Sequence, residues 1–217
     1  GPVNTGIAIA NPNDEPATID YYFTDDSGQN FGAGATTIPA NGQIAQFLTE
    51  ALFHGGSSIR GTFSFTSSVP VAAIAFRGFT NERSEFLLTT MPVVETAVSA
   101  TGPAEPVVLP HLVDGEGWTT EVVLLNPTDQ PLTGTAQFLT VDGKTASAFE
   151  YALPPRVSQR FVTSGSDSPV RTGSIRFNPA ANNPPPSGFA ILSLKNGGFT
   201  VTEAAVPSLP SGSAFRL

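Results

Sequence analysis

Hydrophobic and polar positions alternate over short runs along the whole chain. Ile7 and Ile9, and far downstream Val122 and Leu124, sit between smaller or polar neighbours, which is the period of a half-buried strand. Ile19, Tyr21 and Phe23 fall on one face of such a strand, with Asp20, Tyr22 and Thr24 on the other. Phe63 and Phe65 share a face between Thr62, Ser64 and Thr66. Turn chemistry separates these runs at Asn11-Pro12-Asn13-Asp14, Asp25-Asp26-Ser27-Gly28, Asn41-Gly42 and Asp142-Gly143. Strands spaced by roughly 8–12 residues with turns between them predict an all-β sandwich. Residues 48–53 carry few breakers, and a single helical turn is expected there as a local decoration.

The pattern occurs twice. Thr5-Gly6-Ile7-Ala8-Ile9-Ala10-Asn11-Pro12 lines up with Thr120-Glu121-Val122-Val123-Leu124-Leu125-Asn126-Pro127 at a shift of 115 residues. The same shift pairs Pro16 with Pro131, Phe23 with Phe138, Gly28 with Gly143 and Pro39 with Pro154. After a drift of a few residues, Phe47-Leu48-Thr49 meets Phe161-Val162-Thr163 and Gly61-Thr62-Phe63-Ser64-Phe65 meets Gly173-Ser174-Ile175-Arg176-Phe177. Repetition on this scale means one structural unit made twice. The reading is two tandem immunoglobulin-like β-sandwich modules, residues 1–95 and 107–217, joined by a Pro/Gly-punctuated linker over 96–106.

The copies differ at their start. Val107-Val108-Leu109-Pro110-His111-Leu112-Val113 reads as an opening strand for the second copy, and the first has no counterpart. Either that strand lies upstream of Gly1, or the first copy borrows one. The sources for borrowing are the linker, the tail over residues 211–217, or a neighbouring molecule, because a bare sheet edge must be covered.

Composition fits this picture and excludes several function classes. The 21 Gly and 20 Pro leave little room for long helices, while 16 Phe and a 40% hydrophobic content supply a packed core. With no Cys there is no disulfide, no thiol nucleophile and no Cys-ligated zinc. The net charge of −8 is uneven. Residues 1–110 hold three Arg against ten acids (−7), and residues 111–217 hold seven bases against eight acids (−1). Neither half carries the basic stripe that a phosphate backbone needs, so no nucleic-acid partner is expected. No apolar run reaches the roughly 18–20 residues of a membrane-spanning helix, so no membrane insertion is expected.

Chemistry is scarce. The two histidines, His54 in a loop and His111 in the opening strand, are not equivalent between copies, and neither neighbours a nucleophile motif. Asp25-Asp26-Ser27-Gly28-Gln29-Asn30 crowds oxygen ligands as calcium loops do. Its counterpart, Thr140-Val141-Asp142-Gly143-Lys144, loses one acid and gains a cation, so a hairpin turn explains both copies where calcium explains one. No catalytic residue, cofactor site or metal site is assigned. The remaining ligand-binding candidates are two aromatic side chains, Tyr22 on the solvent face of its strand and Trp118 at a strand start. Exposed rings stack against the C–H faces of sugars, so these two carry the alternative of a carbohydrate-binding module pair.

Asn4-Thr5-Gly6-Ile7-Ala8-Ile9-Ala10-Asn11-Pro12, Ile38-Pro39-Ala40-Asn41-Gly42, Ser68-Val69-Pro70-Val71-Ala72 and Thr89-Thr90-Met91-Pro92 resemble the tandem all-β repeats of large secreted bacterial surface proteins. Gly117-Trp118-Thr119-Thr120 and Phe199-Thr200-Val201-Thr202-Glu203-Ala204-Ala205-Val206-Pro207 are similar to their companion module. The resemblance covers nearly the whole chain and rests on strands and turns. It implies an extracytoplasmic location and a non-enzymatic structural, adhesive or assembly role with a protein partner or the subunits of a larger assembly.

Overall fold

The computed structural model describes residues 2–56, 59–96, 105–214 and 216, and those residues form strands and turns without a helix. The chain divides into two compact units, Gly1–Val93 and Val94–Leu217. Most of the expected linker, residues 97–104, lies outside the described residues.

Unit one has seven strands: β1 (Val3–Ala10), β2 (Ala17–Asp25), β3 (Asn30–Ile38), β4 (Gln43–Phe47), β5 (Gly61–Ser67), β6 (Ala72–Thr80) and β7 (Phe86–Met91). They form a four-stranded sheet in the order β4-β1-β6-β7 and a three-stranded sheet in the order β3-β2-β5. Every pairing is antiparallel. Ile7 and Ile9 from the first sheet meet Ala17, Ile19, Tyr21, Phe23 and Ile38 from the second in one buried cluster, which makes the unit a β-sandwich. The alternation read from the sequence places these residues inward for the stated reason, since successive side chains of a strand point to opposite faces.

Unit two repeats this plan with additions. Its strands are β8 (Val107–Asp114), β9 (Trp118–Leu125), β10 (Leu132–Thr140), β11 (Thr145–Leu153), β12 (Ser158–Val162), β13 (Arg171–Pro179), β14 (Ser187–Asn196), β15 (Phe199–Pro207) and the short β16 (Leu209–Pro210). The sheets run β12-β9-β14-β15 and β11-β10-β13-β8-β16. With β8 and β16 set aside, β9 to β15 have the neighbours that β1 to β7 have in unit one.

The hydrogen bonds correspond atom for atom around one buried residue. Asn11 Nδ2 donates to the carbonyls of Glu15 (2.8 Å), Ile38 (3.3 Å) and Pro39 (3.0 Å), and its Oδ1 accepts from the backbone N–H of Asn13 (3.1 Å). Asn126 Nδ2 donates to Gln130 (2.7 Å), Leu153 (3.1 Å) and Pro154 (3.0 Å), and its Oδ1 accepts from the N–H of Thr128 (2.8 Å). Each partner in the second set lies 115 residues after its counterpart in the first. The Asn-Pro pair therefore ties the β1–β2 turn to the end of β3, and the same atoms tie β9–β10 to β11.

The register corrects one correspondence. Gly6 pairs with Phe47 while Glu121 pairs with Val162, so Phe47 is the equivalent of Val162, not of Phe161. A slip of one residue exchanges the two faces of a strand. Phe161 points inward onto Phe138 and Phe149, with ring centroids 6.4 and 4.8 Å away. Phe47 lies on the outer face, edge-on to Phe86.

The expected helical turn does not extend into a helix, and a single i→i−4 bond closes it. Residues 48–54 make successive turns instead, through Glu50 N–H to Phe47 O (3.0 Å), Phe53 N–H to Glu50 O (3.1 Å) and His54 N–H to Glu50 O (2.9 Å). The segment is also more than decoration. Phe53 is only 1% exposed and sits edge-on to Tyr21 and Phe63, at 5.2 Å from each ring. The Tyr21 hydroxyl donates to the Leu52 carbonyl at 2.6 Å and fixes the turn over the end of the core.

Candidate functional site

The additional strand of unit two defines the site in unit one. β8 runs antiparallel to β13, pairing Asp114 with Arg171, Val113 with Thr172, Leu109 with Ile175 and Val107 with Phe177. It sends Leu109, Leu112 and Val113 into the core, where they join Ile175, Phe177, Ala190 and Leu192 in one buried cluster. Ile175 and Phe177 are both 0% exposed. Their equivalents in unit one, Phe63 and Phe65, stay half-buried. Among the described residues β5 pairs with β2 alone, and its other edge has no strand beside it.

The side of unit one that corresponds to the β8 position, called the slot below, is bounded by the outer edge of β5 and the inward faces of β6 and β7. Register fixes its lining. Arg77 pairs with Thr89, Phe79 with Leu87, and Ala75 with Met91, on the face that Ile7 and Ile9 also occupy. Phe79, Leu87 and Met91 are half-buried. The side chains packed against the buried core along this side are Phe63, Phe65, Val69, Val71 and Ala73. Position 77 is informative. It matches Leu192, which is buried with Leu112 and Val113 in unit two, yet here it carries a guanidinium that lies 5.7 Å over the Phe79 ring. The Phe53 turn fills only the end of the slot, against Phe63.

A second contrast lies on the outer face of the same four-stranded sheet. In unit two this face carries Glu121, hydrogen-bonded and paired with Arg160 at 3.3 Å, and Glu203, which accepts from Ser193 at 3.0 Å. The matching positions in unit one are Gly6, Ala45, Leu88 and Gly78, with Ile74 and Phe86 beside them. Phe86 is 57% exposed and Leu88 56%. The small residues let the rings lie close to the sheet: a Cβ on Gly78 would fall 2.7 Å from the Phe86 ring, and one on Gly6 3.3 Å from the Phe47 ring, so either would push its ring outward. The rings of Phe47 and Phe86 thus lie over a nearly side-chain-free floor. Sequence reasoning missed this patch, because the alignment matched Phe47 with Phe161 and left the face of Phe47 undetermined.

The sequence-derived candidates lie on other elements. Tyr22 is half-buried on the outer face of β2, across from Ser64, where its other neighbours are Thr18, Asp20 and Thr24 along the strand. Trp118 is half-buried and packs against the core of unit two at the start of β9. They belong to different units and to unequal positions. His54 and His111 are both exposed. Asp25 closes the β2–β3 hairpin, its Oδ1 accepting from Ser27 N–H (2.8 Å), Ser27 Oγ (2.6 Å) and Gln29 N–H (3.0 Å). Those bonds, the Ser27 hydroxyl first, hold its carboxyl below the usual value of 3.8. Asp142 holds the matching β10–β11 hairpin through Lys144 at 2.6 Å and the Thr140 hydroxyl at 2.5 Å, and is likewise lowered, chiefly by Lys144. In both copies the backbone closes the same way, with Asp25 N–H on Gln29 O and Thr140 N–H on Lys144 O. The acids of the first copy thus serve a turn that the second copy makes with a lysine. The described residues contain no group of three or more His, Cys, Asp or Glu placed to hold a metal. One buried polar atom stands out, the Tyr151 hydroxyl over Gly134, whose pKa burial raises to about 12.

Comparison with known proteins adds little. No family model matches the sequence, and no curated protein does. A solved β-glucuronidase from glycoside hydrolase family 2 is similar at 11% identity, over 95% of this chain and 22% of that one, with a TM-score of 0.19. The chain thus spans about a fifth of that enzyme's length, and a likeness this low carries no argument about activity.

Proposed function

We propose that the chain is a non-enzymatic, extracytoplasmic assembly module, built as two tandem immunoglobulin-like sandwiches, that binds protein through unit one. One observation supports this reading above the others: β8 pairs with the β13 edge in unit two, and among the described residues no strand pairs with the matching edge of β5 in unit one. Unit two is closed and self-sufficient, with Ile175 and Phe177 fully covered. Unit one leaves the matching phenylalanines half-buried and, on the outer face of its other sheet, exposes Phe86 and Leu88; exposed apolar surface can mark an interaction site. The acidic balance of the first copy and its lack of lysine fit a protein partner better than an anionic surface.

Retention of the purified chain on isolated bacterial cell-envelope fractions tests the reading. Leu87→Arg with Met91→Arg puts two charges on the slot-facing side of β7, and retention is expected to fall at least tenfold. Tyr22→Ala and Trp118→Ala are expected to leave it unchanged. The reverse pattern, loss with the two aromatic variants and none with the arginine pair, would support glycan binding and remove the assembly reading.

A further inference from the structure

We infer that two copies of this chain meet through the outer face of the β4-β1-β6-β7 sheet, packed against the same face of the second copy. The inference goes beyond the assembly reading and uses a different surface from the β5 edge. Alternation fixes what the face presents. Gly6 opposes Phe47 on one side and Phe76 on the other, and Gly78 opposes Leu88. No outward position of these four strands carries a charged side chain. Ile74 is 41% exposed beside the more exposed Phe86 and Leu88. The corresponding face of unit two is interrupted by Glu121, Arg160 and Glu203.

Charge, shape and size select a second copy as the occupant. Residues 1–110 carry a net charge of −7, so two copies of unit one repel wherever their carboxylates meet, and on this face none do. A strongly charged partner finds no opposite charge here, whereas the uncharged face of a second copy matches it. A sugar is a poor occupant, because the Phe47 and Phe86 rings stand at 85° to one another and form no coplanar platform. The face is also graded in bulk, with Phe86 and Leu88 at one end and Ala10, Ala45 and Ala72 at the other. A two-fold axis in the plane of the face, across its long direction, sets the bulky end of each copy over the small end of the other. That is the self-complementarity an isologous contact needs. The four strands run 5 to 9 residues. At about 3.4 Å per residue and about 4.8 Å between strands, they make a face of about 450 Å². Two such faces, with the relief of their side chains, bury about 1,000 Å², the lower size limit of a specific interface. The dimer is therefore weak and driven by apolar contact.

Sedimentation equilibrium of the full chain tests the inference over about 1 µM to 1 mM, where interfaces near the lower size limit associate. A monomer–dimer equilibrium is expected. Leu88→Glu and Ala45→Arg, made singly, give unit one the residues that unit two carries at those places, Glu203 and Arg160, on a sheet of the same strand order. Each is expected to weaken the dimer at least tenfold while the melting temperature of unit one stays unchanged. Val141→Glu, at a position 82% exposed on the β10–β11 hairpin of unit two, is expected to leave association as it was. A monomer throughout the range would overturn the inference. So would association that survives both face variants, or that is lost with Val141→Glu. A monomeric chain that keeps its envelope retention removes the self-contact and leaves the assembly reading standing. A dimer that envelope fractions do not retain removes the assembly reading and leaves the self-contact.

Discussion

Phe53→Ala is expected to destabilise unit one by about 3–5 kcal/mol and to leave unit two untouched. The ring is 1% exposed and touches both Tyr21 and Phe63 at the open end of the sandwich. Truncating a buried phenylalanine costs the transfer term of the lost atoms plus a cavity term, and about 3–5 kcal/mol is the usual result. Among the described residues no strand pairs with the outer edge of β5 to relax into the gap, and the Tyr21–Leu52 hydrogen bond holds the turn in place. For a unit of this length, each kcal/mol lowers the midpoint by roughly 4–8 °C. The lone tryptophan, Trp118, lies in unit two, so its fluorescence reports that unit alone. The expected result is an early transition by far-ultraviolet circular dichroism with an unshifted tryptophan transition. A shift of less than about 1 kcal/mol would mean that the turn is peripheral.

The second large effect is matched between the units. Asn11→Ala and Asn126→Ala are each expected to cost about 2–4 kcal/mol, and each in its own unit. Both side chains are buried, at 1% and 0% exposure, and both donate to three backbone carbonyls. A net hydrogen bond contributes about 0.5–1.5 kcal/mol, and a buried partner left unsatisfied costs about 1–3 kcal/mol. Asn126→Ala should lower the tryptophan-monitored midpoint, whereas Asn11→Ala should not. Unequal losses, one unit tolerating the change and the other not, would show that the shared network has different weight in the two copies.

These two positions show how far the sequence could be read. Asn11 and Asn126 were legible as turn residues and as a repeat landmark, since Asn-Pro is local chemistry. Their grip on carbonyls 27 and 28 residues downstream was not, because it depends on where β3 and β11 end in space. The inward faces of β1, β2 and β5 were legible from alternation. Phe47 was not, because a gapped alignment can absorb one residue without visible penalty, whereas a sheet register cannot. Phe53 escaped for a related reason: a single apolar residue in a turn has no period to announce its burial. The lack of an opening strand in the first copy was visible from the alignment alone. Its consequence, half-buried Phe63 and Phe65 beside Phe79, Leu87 and Met91, needed strand order and register to appear. Tyr22 and Trp118 drew attention as the aromatic residues outside the alternating core pattern, but the structure places them on separate units and brings nothing together around them.

The contrast between the two units also explains where their aromatic bulk goes. Unit two concentrates Phe138, Phe149 and Phe161 under β10, β11 and β12, the side away from β8. Unit one keeps Phe23 at the Phe138 position and adds the rings of Tyr21, Phe53 and Phe63 beside it, toward the β5 edge that no strand pairs among the described residues. Large rings shield that side in part, enough for a folded unit that still offers an edge.

The most direct measurement is site-resolved amide exchange on the free chain. An antiparallel edge strand directs every second backbone pair away from its neighbour. The amides from Phe63 to Ser67 that point away from β2 are expected to exchange at least a hundredfold faster than those that point toward it. Over Ile175 to Phe177 of β13, which match Phe63 to Phe65, both sets should be protected, because β10 and β8 bond the two edges. Uniform protection of Phe63 to Ser67 in the free chain would mean that the slot is already filled, and would contradict the open edge on which the functional reading rests.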